Sequence, residues 1–158
     1  MFAIGRPIET GPAPASSSGS TSSASSAAVA AALAGTADAL AVARVDEGVA
    51  LREAGIGARI VLLGGALDGE DMRACAEHTL EPVLHEVRHV DLLAAHAPPL
   101  TCWVKVNTGM NRLGMAPAVL PGQLERLRAM RGVQLAGLMT HFACADERAC
   151  AETATQLR

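Results

Sequence analysis

The only lysine in the chain, Lys105, lies in the middle of an apolar run, and Arg112 follows in a loop punctuated by Gly109 and Gly114. The stretch Trp103 to Gly114 reads Trp-Val-Lys-Val-Asn-Thr-Gly-Met-Asn-Arg-Leu-Gly. A bare ammonium inside a strand needs a counter-charge, a chemical neutralisation or a depressed pKa. Arg112 offers a planar, multi-donor cation suited to a carboxylate, phosphate or phenolate, and its loop can fold closely around something small. His141 ends the run Leu138-Met139-Thr140. Each has a plainer reading: a solvated surface arginine, a lysine whose stem snorkels out of the strand end, and a hydrogen-bonded structural histidine.

The other reactive side chains have simpler explanations. His78, His85, His89 and His96 show no acid or cysteine partner at metal spacing, so they are expected on helix surfaces or strand ends and no metal is expected. Cys75, Cys102, Cys144 and Cys150 lack a CxxC pattern and are expected as reduced, mostly buried thiols. Cys144 near Asp146 has no identifiable base beyond His141 and is not assigned as a nucleophile. Asp46-Glu47 and Glu70-Asp71 stand near helix starts, where the macrodipole accounts for them.

Short apolar runs alternating with amphipathic stretches must position these groups. Strands are expected at Ala39 to Ala43, Arg59 to Leu63, Leu80 to Leu84, Thr101 to Val106 and Val133 to Thr140. Helices are expected at Ala27 to Leu33 (capped by Ser25 or Ser26), Asp46 to Ala54, Asp68 to Glu77, Glu86 to Ala95 and Pro117 to Met130, with another from near Asp146. Asp46, Asp68 and Asp146 suit N-caps or first turns, and Pro117 a first helical position. Apolar strands repeated with intervening helices specify an α/β protein, a parallel sheet with helices packed outside. A closed barrel of this kind takes eight units and typically about 250 residues. Five strands make an incomplete TIM-type barrel, expected to be poorly stable by itself because unpaired edges and apolar faces remain.

Residues 1–26, rich in Ser, Ala, Pro and Gly, are expected as a disordered arm, and 27–158 as the partial barrel. The arm lacks the charged start and apolar core of a targeting signal. With two Phe, one Trp, no Tyr and a net charge of −3, the chain has neither the basic face nor the interleaved aromatics of a nucleic-acid binder. No run reaches the roughly 18 to 20 apolar residues of a membrane span.

Two segments carry a family resemblance: Lys105-Val-Asn-Thr-Gly-Met-Asn-Arg-Leu-Gly-Met115, and Gly137-Leu-Met-Thr-His-Phe-Ala-Cys-Ala-Asp146. Together with Ala39 to Ile56, they resemble alanine racemase, the pyridoxal-phosphate enzyme that interconverts L- and D-alanine. The resemblance implies a cytoplasmic homodimeric isomerase supplying D-alanine to cell-wall synthesis. It places Arg112 near the cofactor's phenolic oxygen and the substrate carboxylate, Lys105 as a carbamate supporting Arg112, and His141 against the cofactor ring. It also implies two catalytic groups, a lysine at the end of the first strand and a tyrosine from the partner subunit. Lys105 falls on neither position, and the chain has no tyrosine. The expectation is therefore a truncated copy that does not covalently hold the cofactor and is inactive alone. A non-catalytic cofactor-binding barrel and a gene-fragment remnant are the alternatives.

Overall fold

Leucine, valine and isoleucine dominate the segments that form the sheet. The computed structural model describes residues 2–4, 23–96, 99–147 and 149–157. The strands are β1 (Phe2–Ile4), β2 (Ala39–Val42), β3 (Ile60–Leu62), β4 (Leu80–Leu84), β5 (Leu100–Lys105) and β6 (Val133–Met139), paired in sequence order within one sheet. Five of them, β2 to β6, run parallel. Helices alternate with them: α1 (Ser23–Leu33), α2 (Val45–Glu53), α3 (Gly69–Glu77), α4 (Val87–His96), α5 (Leu120–Ala129) and α6 (Glu152–Gln156). This is the strand-helix alternation of a partial barrel.

The arm expected over 1–26 falls largely on residues 5–22, which lie outside the described residues. At its two ends the structure differs from that expectation. Phe2–Ile4 pairs antiparallel with β2, and α1 starts at Ser23, so Ser25 and Ser26 lie inside the helix rather than capping it. The alanine-rich sequence favours helix enough to draw these serines into its first turn.

Two apolar layers flank the sheet. Leu40, Val42, Ile60, Leu62 and Leu80 pack with Leu51, Cys75 and α1, and Leu84, Cys102 and Val104 pack with Met72, Val90, Leu93 and Leu127. The opposite face gathers Ala39, Ala41, Val61 and Val83, with Leu63, Trp103 and Met139 against them. Every residue of β2, β3 and β4 is buried, as parallel strands covered on both faces require.

Local signals fix most helix starts. Asp68 caps α3 by accepting from the backbone N–H of Glu70 and Asp71 at 2.9 and 3.0 Å. Ahead of α2 it is Glu47, not Asp46, whose carboxylate accepts from Ala43 N–H (2.8 Å), while Asp46 pairs with Arg44 at 2.9 Å. Pro117 does not open α5; the helix begins at Leu120 with Pro121 in its first turn. The last helix starts at Glu152, not near Asp146, because turns occupy residues 143–146. At the amino ends of the strands, Arg52 donates to the carbonyls of Ile56, Ala58, His78 and Thr79 at 2.6 to 2.9 Å, satisfying loop acceptors that no ladder reaches.

A bulge decides what β6 presents. Cys102 pairs with Leu135, but Trp103 pairs with Gly137 and Lys105 with Met139, so Ala136 is the extra residue. Without it the strand would keep its alternation, and Leu135 and Met139 would share a face. Instead Val133 and Leu135 pack toward the helices while Met139 joins the inner cluster. Gly137 then lies under the Trp103 ring, where a Cβ would stand 2.9 Å from its Cζ3.

Candidate functional site

The carboxyl ends of β5 and β6 carry the three candidate residues, each placed by backbone geometry. Lys105 closes β5 opposite Met139, on the same face as Trp103. The chain then makes a closed excursion: Asn107 N–H donates to Met115 O (2.9 Å) and Met115 N–H to Lys105 O (2.8 Å). Asn107 organises the interior of this loop. Its Oδ1 accepts from the N–H groups of Gly109 (3.1 Å) and Asn111 (3.0 Å), and its Nδ2 donates to Asn111 Oδ1 (3.0 Å). Gly114, at φ +132°, brings the loop back so closely that a Cβ there would stand 2.6 Å from Asn107 N. Arg112 projects from this loop, exposed.

Lys105 is half-buried and its pKa is lowered, by burial first and by the charge of Arg112 second. Neither cation has a hydrogen-bond or ion-pair partner among the described residues. Two like charges close enough to perturb one another, with no acidic side chain paired to either among the described residues, make an arrangement suited to an anion. His141 is exposed two residues past the end of β6, and its carbonyl accepts from Gln156 Nε2 at 3.2 Å. Lys105 and Arg112 are thus coupled electrostatically, and His141 stands at the neighbouring strand end.

Three features differ from the expectations. First, Cys144 and Cys150 form a disulfide rather than standing as free thiols, because the turn after β6 brings their Cα atoms to 6.4 Å, within bonding range. Cys75 and Cys102 are free and buried, with burial pushing both thiols up to about 12. Second, His85 and His89 do have an acid partner. His85, Glu86 and His89 place their ligand atoms within 4.8 Å of one another, and His89 is buried rather than on a helix surface. The signal was the spacing His-Glu-Val-Arg-His, five consecutive residues from 85 to 89. Helix α4 begins only at Val87, however, and both nitrogens of His89 are occupied: Nδ1 faces His85 N–H (3.3 Å) and Nε2 faces Glu86 (3.1 Å). An Nδ1 that accepts puts the ring proton on Nε2, where it meets the carboxylate, so the cluster is satisfied by its own hydrogen bonds.

Third, Gln156 is buried and bonded to both site loops, a role with no signal in residue type or spacing. Elsewhere, a cleft of about 570 Å³ opens between α2 and α3. Three of its acids are engaged locally, Asp46 by Arg44, Asp68 by the α3 amides and Asp71 by Leu67 N–H.

Comparisons with known proteins agree with this fold. Residues 21–158 match the family model described as alanine racemase, N-terminal domain. The chain is 47% identical to an alanine racemase of Nitrosococcus oceani over 114 residues, covering 70% of this chain and 32% of that protein. It is 45% identical to one from Azoarcus over 127 residues, covering 79% and 36% respectively. The crystal structure of the biosynthetic alanine racemase from Pseudomonas aeruginosa superposes with a TM-score of 0.77 at 36% identity, over 83% of this chain and 37% of that one. The chain therefore spans about a third of the length of these relatives.

Proposed function

Because the chain belongs to the alanine racemase N-terminal domain family, we propose that it forms one wall of a pyridoxal-phosphate site, the wall that binds acidic oxygens, and that it does not interconvert L- and D-alanine by itself. The observation that carries this reading is the pair of cations, Lys105 and Arg112, at the carboxyl end of β5, unpartnered among the described residues. Barrels of this type work at that end of their strands.

Pyridoxal phosphate, when bound, supplies an electron sink for the α-carbon of an amino acid. The residues present fit the oxygen-bearing side of the cofactor and not its covalent anchor. Arg112 has donors free for a phenolate or carboxylate, and His141 stands at the adjacent strand end to face a ring. The edge where a parallel first strand would bring the anchoring lysine is taken by Phe2–Ile4, running antiparallel and without a lysine. A phenol base is absent too, since the chain has no tyrosine. No racemisation step is derived from this chain.

The role proposed for Lys105, a carbamate, comes from the family resemblance, and the lowering of its pKa by burial and by Arg112 is in keeping with it. A larger share of neutral amine favours attack on carbon dioxide, forming the N–C bond and releasing a proton. The resulting carbamate is an anion that holds Arg112 in place. Completion of the site by further barrel strands and by a partner subunit, with alanine as substrate and the cytoplasm as location, belongs to the same family reading. Among the described residues no helix is long and apolar enough to cross a membrane.

Titration of the purified chain with pyridoxal phosphate tests the proposal. Arg112→Ala is expected to weaken binding about tenfold, the loss of one charge-assisted contact. In ¹³C-bicarbonate a carbamate signal is expected that Lys105→Met abolishes. Equal affinity in the wild type and R112A, or a borohydride-trapped imine on Lys105 accompanied by D-alanine, would overturn it.

A further inference from the structure

Gln156 touches the loops after both β5 and β6. It is 6% exposed, although it ends the five-residue helix α6 and belongs to neither loop. Its Nε2 donates to Thr108 Oγ1 (3.1 Å) and to His141 O (3.2 Å), and its Oε1 accepts from Ala143 N–H (2.9 Å). Thr140 Oγ1 donates to Val106 O (2.9 Å) and lies 2.7 Å from Thr108 Oγ1. The directions are fixed by chemistry. An amide nitrogen can only donate and a carbonyl oxygen only accept, so protons point one way from Gln156 through Thr108 and Thr140 to Val106.

Packing supports the same role. Gly109 holds φ +143° and presents no side chain where Gln156 approaches; a Cβ there would stand 3.2 Å from Gln156 Cγ. Gly109 N–H is also one of the two groups bound by Asn107, so the clasp reaches the frame of the loop that carries Arg112. The Cys144–Cys150 disulfide closes the chain between His141 and α6, shortening the tether that delivers Gln156.

We infer that Gln156 is a positioning residue, locking the Arg112 loop to the His141 strand end, with the Cys144–Cys150 bond holding it there. The inference rests on the proposed cofactor wall only for its consequence in binding; the clasp itself concerns the unliganded protein. Two thiols of a reductant such as dithiothreitol would open the bond, becoming the reductant's own disulfide as Cys144 and Cys150 take up the two hydrogens. In a reducing compartment the clasp is then looser than under oxidising conditions.

The test compares the full chain with Gln156→Met, which keeps length and loses all three hydrogen bonds. Hydrogen exchange at Gly109 and Asn111 is expected to quicken about tenfold, while Leu62 and Val83 amides in the sheet hold their wild-type rates. Affinity for pyridoxal phosphate should fall by about the same factor. If Q156M fails to fold, reduction of the wild-type disulfide provides the second arm and should quicken the same two amides. Unchanged exchange at Gly109 and Asn111 in whichever arms can be measured overturns the proposal. If exchange quickens while R112A leaves cofactor affinity unaltered, the clasp stands and the cofactor reading falls.

Discussion

His89 shows how a residue can carry chemistry in its type and structure in its setting. It is buried against His85, whose ring centroid lies 4.3 Å away, and its pKa falls from the ordinary 6.5 to about 4, chiefly through burial and then through the charge of His85. Glu86 opposes that shift and Arg88 adds to it. A histidine held neutral when folded binds fewer protons than its unfolded counterpart between those two values. Its contribution is thus complete above about pH 6.5 and is lost as the pH falls toward about 4. Denaturant midpoints measured across that window should drop more steeply in the wild type than in His89→Gln, after the general acid loss common to both. Parallel pH profiles would mean that His89 titrates normally. Lys105 is the contrasting case, a cation whose pKa is depressed by burial and then by Arg112, and which has no hydrogen-bond or ion-pair partner among the described residues.

Among the elements, β6 carries the largest departure from simple alternation. The extra residue Ala136 moves Gly137 beneath Trp103, whose Nε1 donates to the buried Glu81 at 2.8 Å while Arg59 pairs with the same carboxylate at 2.7 Å and lies over the ring. Gly137→Ala forces the indole away from that position, with an expected cost of about 1 to 3 kcal/mol. The denaturation midpoint should fall, and the fluorescence of the single tryptophan should shift in the folded state. An unchanged midpoint and spectrum would show that the ring has room to spare.

The same strand marks where sequence stops being informative. Apolar runs located β2 to β6 to within a residue or two because covered parallel strands need apolar side chains on both faces. Asp68 announced α3 because its carboxylate has a local task. The bulge left no such trace, since one inserted residue changes facing without changing composition. Asp46 and Glu47 both stand in the first turn of α2 as expected, and the reach of the side chain decides that Glu47 takes the backbone N–H groups. The disulfide and the Gln156 clasp arise only when the chain turns back after β6, so neither residue spacing nor type discloses them. Lys105 and Arg112 were legible because their charge broke an apolar, glycine-punctuated pattern, and His141 through the family resemblance of its segment.

For the whole molecule, the decisive feature is what the sheet sets beside its cations. Five parallel strands and their helices build the carboxyl-end platform, Arg112 and Lys105 stand on it with no acidic partner among the described residues, and β1 closes the front edge in the antiparallel sense. β6 lies at the other edge of the sheet, with Leu138 51% exposed. Such a platform fits a binding wall, whereas proton transfer on both faces of an α-carbon demands two bases, one on either side. The most direct measurement is a chiral assay of L-alanine incubated with the purified chain and pyridoxal phosphate. D-alanine is expected to stay at the level of the protein-free control even when the cofactor is bound. D-alanine accumulating in proportion to protein concentration would contradict the reading of this chain as a cofactor wall without racemase activity.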